Sequence, residues 1–345
     1  MRIFSYRNKR IAKTALLVLA GVLSLLIILC VGRFLYLQRY LVYGDGSVRL
    51  DYEQDLQSEG TKHEVSDPRD FPLHIITPED GSGVTGPVDD SIKPLTGYFV
   101  TTNMLQNGPN VQTALEELEQ QPRVILFEMK SIFGNFYYQS ALFGQYTANA
   151  DIPAVKALVE QMQENGAYVI AKVPAFSDIN FALANQSCGL PLSSGALWMD
   201  SNGCYWLDPM DDEVLNYLTA IAAELRELGF DEIVFDGFTM PDSEKIIYPT
   251  EFTREEYTAQ AAQTLMESLS ELPVRISFGS TSPLMATIGE RIYVSGVEGS
   301  AVLATVEALS AEMENPAAQI VFLTESRDTR FEQYSVLRPL IESND

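Results

Sequence analysis

The sequence is poor in the residues that build metal and triad chemistry. It has two histidines, His63 and His74, and both precede the first regular strand–helix pattern. A histidine-based metal site or a Ser-His-Asp triad in the folded region is thereby excluded, and no cofactor is expected. Tryptophan is nearly absent: Trp198 and Trp206 are the only two, and they stand eight positions apart. Three cysteines are present. Cys30 falls in an apolar run. Cys188 and Cys204 are compatible with one disulfide in an oxidising compartment or with two buried thiols, and spacing alone leaves both open.

Negative charge is missing from the N-terminal end. No Asp or Glu precedes Asp45, while Arg2, Arg7, Lys9, Arg10, Lys13, Arg33 and Arg39 do. Beyond Arg39 there are 16 basic against 47 acidic residues, within a chain of net charge −24. So acidic a surface repels nucleic acid and anionic lipid, and it keeps a domain soluble.

The run Thr14–Gly32 carries no charge. As a helix it would span about 28 Å, close to the roughly 30 Å hydrocarbon core of a bilayer. The excess of basic residues before it directs the N-terminus to the cytoplasm and the remainder outward. A cleaved signal peptide is the competing reading. However, the run is longer than a usual signal core, and no small-x-small site follows. The expectation is therefore a cytoplasmic tail (1–13), a single-pass anchor (14–36), an acidic spacer of low order rich in Gly, Pro, Ser and Asp (37–94), and an extracytoplasmic folded domain (95–345). The localisation that follows is the cell membrane.

In the folded region, short apolar runs alternate with amphipathic stretches. Gly97–Thr101, Val124–Glu128, Tyr168–Val173, Glu232–Asp236, Val274–Phe278, Arg291–Ser295 and Gln319–Leu323 are rich in β-branched and aromatic residues, as in parallel strands buried on both faces. Between them, helix starts are signalled by Asn110, Asp151-Ile152-Pro153, Asp208-Pro209 and the Thr253/Glu256 capping box, with another helix near Val302–Leu309. The pattern predicts α/β architecture, a (β/α)8 TIM-barrel-like domain. Seven strands leave that barrel one short, with a last helical stretch near Tyr334–Ile341. The options are a missed strand, a barrel incomplete at its C-terminus, or an open doubly wound sheet.

Chemistry in such folds gathers at the C-terminal ends of strands. Those ends, and the loops beyond, offer Asp236, Glu128, Glu298 and Glu325 as carboxylates and Lys130 and Lys172 as cations. Asp236 closes a strongly apolar strand and precedes Gly237. Glycoside hydrolysis uses two carboxylates roughly 5–10 Å apart, so Glu128, Glu298 or Glu325 could partner Asp236. Lys130 and Lys172 suit an anionic group or an ion pair with Glu128. Trp198 and Trp206, with Tyr205, suit either stacking on sugar rings or a small loop core. Asp208 suits a helix cap or a polar contact to substrate, and Tyr98 is a further candidate contact at the first strand.

Three segments together resemble a known family. They are Val124–Gly134 (VILFEMKSIFG), Tyr168–Asp178 (YVIAKVPAFSD), and Leu197–Pro209 (LWMDSNGCYWLDP) followed by Leu228–Pro241 (LGFDEIVFDGFTMP). They are similar to the Asp-x-Lys-Asp, Ala-Arg/Phe-x-Asp, Trp-x-Asp-Pro and Gly-Phe-Asp-Glu-Ile/Phe-Asp-Tyr motifs of the bacterial putative glycoside hydrolase domain family, a TIM barrel distantly like alpha-amylases. The resemblance spans about Gly97 to Ser295. It implies glycoside hydrolysis and a polysaccharide or cell-wall glycan as partner, with Asp236 as the matching carboxylate. Departures are Glu128 and Ser131 for two aspartates, Lys172 for an arginine, Gly237 and Thr239 for a tyrosine and an arginine, and Ile276 where the fifth strand should bear an acid. A non-catalytic glycan-binding or structural relative is the alternative implied by these departures.

Overall fold

The computed structural model describes residues 41–44, 47–50 and 92–341. The stretches expected to form a cytoplasmic tail and a membrane anchor, with Cys30, His63 and His74, lie outside the described residues, and no described helix is long and apolar enough to cross a membrane. Two compact units divide the chain, one ending at Glu79 and the other running from Asp80 to Ser343. In the first, β1 (Leu41–Gly44) and β2 (Ser47–Leu50) form an antiparallel hairpin, with Gly44 opposite Ser47. The hairpin lies within the stretch read as a low-order spacer; the residues joining it, Asp45-Gly46, are a favoured two-residue hairpin sequence.

The second unit is a closed, all-parallel barrel of eight strands. In chain order they are β3 (Thr96–Val100), β4 (Val124–Glu128), β5 (Tyr168–Pro174), β6 (Glu232–Asp236), β7 (Arg275–Gly279), β8 (Ile292–Ser295), β9 (Ile320–Leu323) and β10 (Ser335–Pro339). Strands follow one another around the barrel, and β10 pairs with both β9 and β3 to close it. The barrel is complete, which corrects the expectation of a missing eighth strand and of a helix near Tyr334–Ile341. Tyr334, Leu337, Leu340 and Ile341 mimic helical spacing, but Val336 donates to Leu95 O at 2.8 Å and Leu340 to Phe99 O at 2.9 Å. Ser335 Oγ accepts from Leu95 N at 2.9 Å, anchoring the strand's first residue. Tertiary pairing decides here over a short, ambiguous local pattern.

Alternation along each strand sorts the two cores. Leu126, Ile170, Val234, Tyr293, Val321 and Leu337 meet inside the barrel, while Ile125, Phe127, Val169, Ala171, Ile233 and Phe235 face the helices. Each fully buried aliphatic chain of this kind contributes about 1.5–3 kcal/mol. The helix Ile152–Glu164 is capped by Asp151 and buries Val155, Leu158, Val159 and Met162. Arg254–Ser268 begins with the Thr253/Glu256 capping box. Two helix starts differ from the sequence reading. Gly108–Glu117 is preceded by Asn107, with Pro109 in its first turn, so Asn110 lies inside it. Asp212–Glu227 is capped by Asp211, whose carboxylate accepts from Glu213 N and Val214 N, so Asp208 is not its cap. After β7 and β9 the described connections hold only short 3-10 turns, Pro283–Met285 and Thr329–Gln333.

The N-terminal floor of the barrel is closed by a buried polar knot. Glu232, fully buried at the start of β6, accepts from Arg291 Nη1 (2.6 Å), Ser277 Oγ (2.6 Å), Tyr168 OH (2.8 Å) and Tyr293 OH (2.9 Å). Arg291 also donates to Ala318 O and Lys93 O. A buried ion pair is tolerable only when its remaining donors and acceptors are filled, as here. Polar groups at this end of a barrel serve stability, which leaves the opposite end for chemistry.

Candidate functional site

The even alternation that buries Leu126, Ile170 and Val234 inside the barrel also points three further inward residues of β4, β5 and β6 into its C-terminal mouth. These are Glu128, Lys172 and Asp236, on three neighbouring strands. Lys172 Nζ lies 3.0 Å from Glu128 Oε1 and 2.8 Å from Asp236 Oδ2. The two oxygens are therefore no more than about 6 Å apart, a limit that includes the roughly 5–5.5 Å of a retaining glycosidase pair. Lys172 is 11% exposed, Glu128 22% and Asp236 31%, so the carboxylates open to solvent more than the ammonium between them. Burial opposes the charge on Lys172, yet Asp236 and Glu128 outweigh it and hold the ammonium above the ordinary lysine range.

The backbone fixes both acids. Glu128 Oε2 accepts from Thr102 N at 2.9 Å, at the start of the short helix after β3. Asp236 O accepts from Ala175 N at 2.8 Å, and Gly237 turns the chain away with φ +61°. Gly279 ends β7 beside Asp236, and a Cβ there would overlap Asp236 Oδ1. The fifth barrel strand thus makes room for Asp236 and supplies no acid. Ile276, the position matched to the family's fifth-strand acid, faces the helical layer, where no carboxylate could reach the mouth.

Other sequence candidates sit elsewhere. Lys130 is a correction: its side chain is fully buried, paired with Asp178 Oδ2 at 2.8 Å and donating to Pro174 O at 3.1 Å, so it has no face for a ligand. Asp178 also accepts from Tyr217 OH at 2.8 Å and caps the helix Ile179–Ala184 through Phe181 N. Lys130 and Asp178 therefore hold two loops together. Tyr98 is likewise corrected: on β3 it faces the outer helical layer, opposite in parity to the inward Phe99.

Trp198 and Trp206 meet edge to face at 5.9 Å, half-buried against the small loop core of Leu190, Met240, Ile246 and Tyr257. Trp206 Nε1 donates to Asp200 Oδ2 at 3.0 Å. Asp208 accepts from Tyr257 OH and Met210 N, and burial raises its carboxyl above the ordinary aspartate range despite both bonds. Glu298 is exposed in the loop after β8 and Glu325 in the loop after β9; neither belongs to the Lys172 cluster.

Cys188 and Cys204 are both buried free thiols, which removes the disulfide option. Cys188 donates to Glu213 Oε2 at 3.2 Å, and burial followed by that bond pushes its thiol up to about 12. Cys188, Asp211 and Glu213 converge within 4.8 Å, but a thiol that holds its proton is a poor metal ligand, and Asp211 is spent on the helix cap.

Residues 97–282 match the model of the family described as putative glycosyl hydrolase domain. The chain belongs to that family. No curated protein matches it. Solved structures of similar fold include a hypothetical protein from Ruminiclostridium thermocellum, at 21% identity over 52% of this chain and 96% of that one, with a TM-score of 0.45. The glycoside hydrolase domain of PelA from Pseudomonas aeruginosa is 15% identical over 72% of this chain and 95% of that one, TM-score 0.45. Ega3 of Aspergillus fumigatus, solved with galactosamine, is 10% identical over 74% and 96%, TM-score 0.46. These likenesses carry no residue role over to this chain.

The Trp-x-Asp-Pro and Phe-Asp segments of this family member fold as described above, the first into the loop core and the second into the mouth. Two parts of the site have no signature in the sequence. The amide of Thr102 that holds Glu128 and the space left by Gly279 both depend on which strands are neighbours. Asp178 did carry a signal, since it ends a quoted motif, but its partner Lys130 lies 48 positions away.

Proposed function

We propose that the protein is a membrane-anchored, extracytoplasmic glycoside hydrolase acting on a cell-envelope polysaccharide, with Asp236 as nucleophile and Glu128 as general acid and base. The observation that carries this reading is the approach of Glu128 and Asp236 to within about 6 Å at the mouth of the barrel, an upper bound that includes the roughly 5–5.5 Å of a retaining pair. Lys172 orients both carboxylates. A sugar entering the mouth would meet Asp236 on its anomeric carbon and Glu128 at the glycosidic oxygen. The charge-free run Thr14–Gly32, preceded by five basic residues, supports the anchor and the export of the domain. An anchor and an acidic spacer would set the barrel among envelope polymers.

One observation favours the second reading, a non-catalytic glycan-binding barrel. The ammonium of Lys172 is shared by both carboxylates. Glycosidases usually keep the proton on their acid with an apolar, uncharged setting, which this is not.

Purified full-length chain incubated with cell-wall glycans and α-glucans separates the two. Release of reducing ends that is lost in Asp236→Asn supports the enzyme. Glycan binding without turnover, unchanged in Asp236→Asn, sinks it.

A further inference from the structure

The loop that follows Glu128 carries an apolar tip that the fold does not use. Lys130 and Phe136 pair as an antiparallel bridge, Ser131 N donates to Asn135 O at 2.9 Å, and Gly134 N donates to Ser131 O at 3.0 Å. This is a tight hairpin with Ile132 and Phe133 at the centre of its turn and Gly134, at φ +87°, completing it. Central turn positions ordinarily take Gly, Pro, Asn, Asp or Ser, each for a backbone reason. Here they take a β-branched residue and an aromatic one. Ile132 is 38% exposed and Phe133 44%, and neither joins an apolar cluster among the described residues. Neither the turn nor the core therefore explains them.

The tip is nonetheless braced. Ser177 Oγ donates to Ile132 O at 3.1 Å, Asn180 N to Phe133 O at 3.4 Å, and Asn180 Nδ2 to Asn135 Oδ1 at 3.1 Å. Asp178 packs so closely beneath the turn that a Cβ on Gly134 would overlap its carboxylate. Binding side chains are commonly carried this way, exposed on a loop that a rigid scaffold fixes.

The braced tip rises from the mouth itself. Phe133 stands five positions beyond Glu128, so it lies no more than about 18 Å away along the chain. Lys130 ties the base of the loop to Pro174 O, and Pro174 is the register partner of Asp236. The setting also suits one kind of occupant. A sugar ring presents an apolar C–H face bordered by hydroxyls. Ile132 and Phe133 offer the apolar surface, and the partly exposed Ser131, Asn135 and Asn180 border it with polar groups. A lipid surface would ask for a wider apolar face, and the acidic domain repels anionic bilayers.

We propose that Phe133, backed by Ile132, is a stacking platform for a sugar unit remote from the bond held at Glu128 and Asp236. The inference rests on the glycan-directed reading of the mouth and adds a specificity-determining residue to it. Contact with a remote unit contributes binding energy that only a longer chain can reach. The platform therefore makes affinity depend on chain length.

Calorimetric titration of the full-length chain tests it with size-graded fractions of α-glucan and of cell-wall glycan. An Asp236→Asn background keeps bound chains uncut. With Phe133 in place, long oligomers of at least one polymer should bind tighter than short ones. Phe133→Ala should weaken the long oligomers about tenfold, leave the short ones unchanged and keep the melting temperature within about 2 °C. Phe133→Trp should restore the long-chain affinity. Affinity independent of length, an equal loss at every length, or no loss in Phe133→Ala overturns the platform and leaves the glycan reading standing. A melting temperature lowered further than that in both Phe133 variants also overturns it, because the ring would then be structural. Failure of every fraction to bind overturns both.

Discussion

Replacing Lys130 by methionine separates a structural role from a binding one. The Lys130 ammonium is fully buried, 2.8 Å from an equally buried Asp178 carboxylate and 5.6 Å from the centroid of the Tyr217 ring. Methionine keeps most of the volume and removes the charge. Asp178 then retains Tyr217 OH and Phe181 N as donors but has lost its counter-charge. Breaking one side of a buried pair costs about 3–5 kcal/mol. A domain of this size shifts its melting temperature by about 2–4 °C per kcal/mol, so the variant should melt about 6–20 °C lower. Adding Asp178→Asn should restore part of that loss, because the orphaned charge is gone. Thermal unfolding followed by circular dichroism measures both, and glycan affinity taken below the lower transition should equal that of the wild type. A shift of less than about 2 °C, or weakened glycan binding at unchanged melting temperature, would refute the structural assignment.

Three further outcomes follow from the same contacts. Arg291→Met, which strips Glu232 of its cation at the barrel floor, should cost a similar amount of stability in a denaturant melt and leave glycan affinity unchanged. Gly279→Ala should displace Asp236 and lower kcat/KM at least about tenfold, and it should also lower the melting temperature because the added Cβ overlaps the Asp236 Cα; unchanged kinetics would contradict the tight fit described. Cys188, its thiol held protonated up to about 12, and Cys204 should resist iodoacetamide in the native protein at pH 8 and react once unfolded, with no disulfide-linked peptide under non-reducing mass spectrometry.

The barrel was legible because its strands are buried on both faces. Val124–Glu128 and Glu232–Asp236 have the same bounds in the sequence pattern and in the structure, since each is a dense β-branched and aromatic run ended by a carboxylate. β10 escaped because Ser335, Arg338 and Pro339 dilute a five-residue strand that only β3 and β9 can define. Within the site, Asp236, Glu128 and Lys172 were named from their positions at strand ends, and alternation then brought all three inward. The same alternation turned Tyr98 and Ile276 outward, a distinction that needs the register as well as the strand. Lys130 shows the limit most clearly. Two positions beyond Glu128 it reads as a mouth residue, yet the strand has ended, and the loop folds it under Asp178 and Tyr217.

The central claim is that Glu128 and Asp236 act on one glycosidic bond as a retaining pair. Proton NMR of the first product released from a cleaved glycan reads this directly. Retained anomeric configuration, with turnover abolished in Asp236→Asn and in Glu128→Gln, is the predicted result. An inverted product, or turnover that survives in both variants, would contradict it.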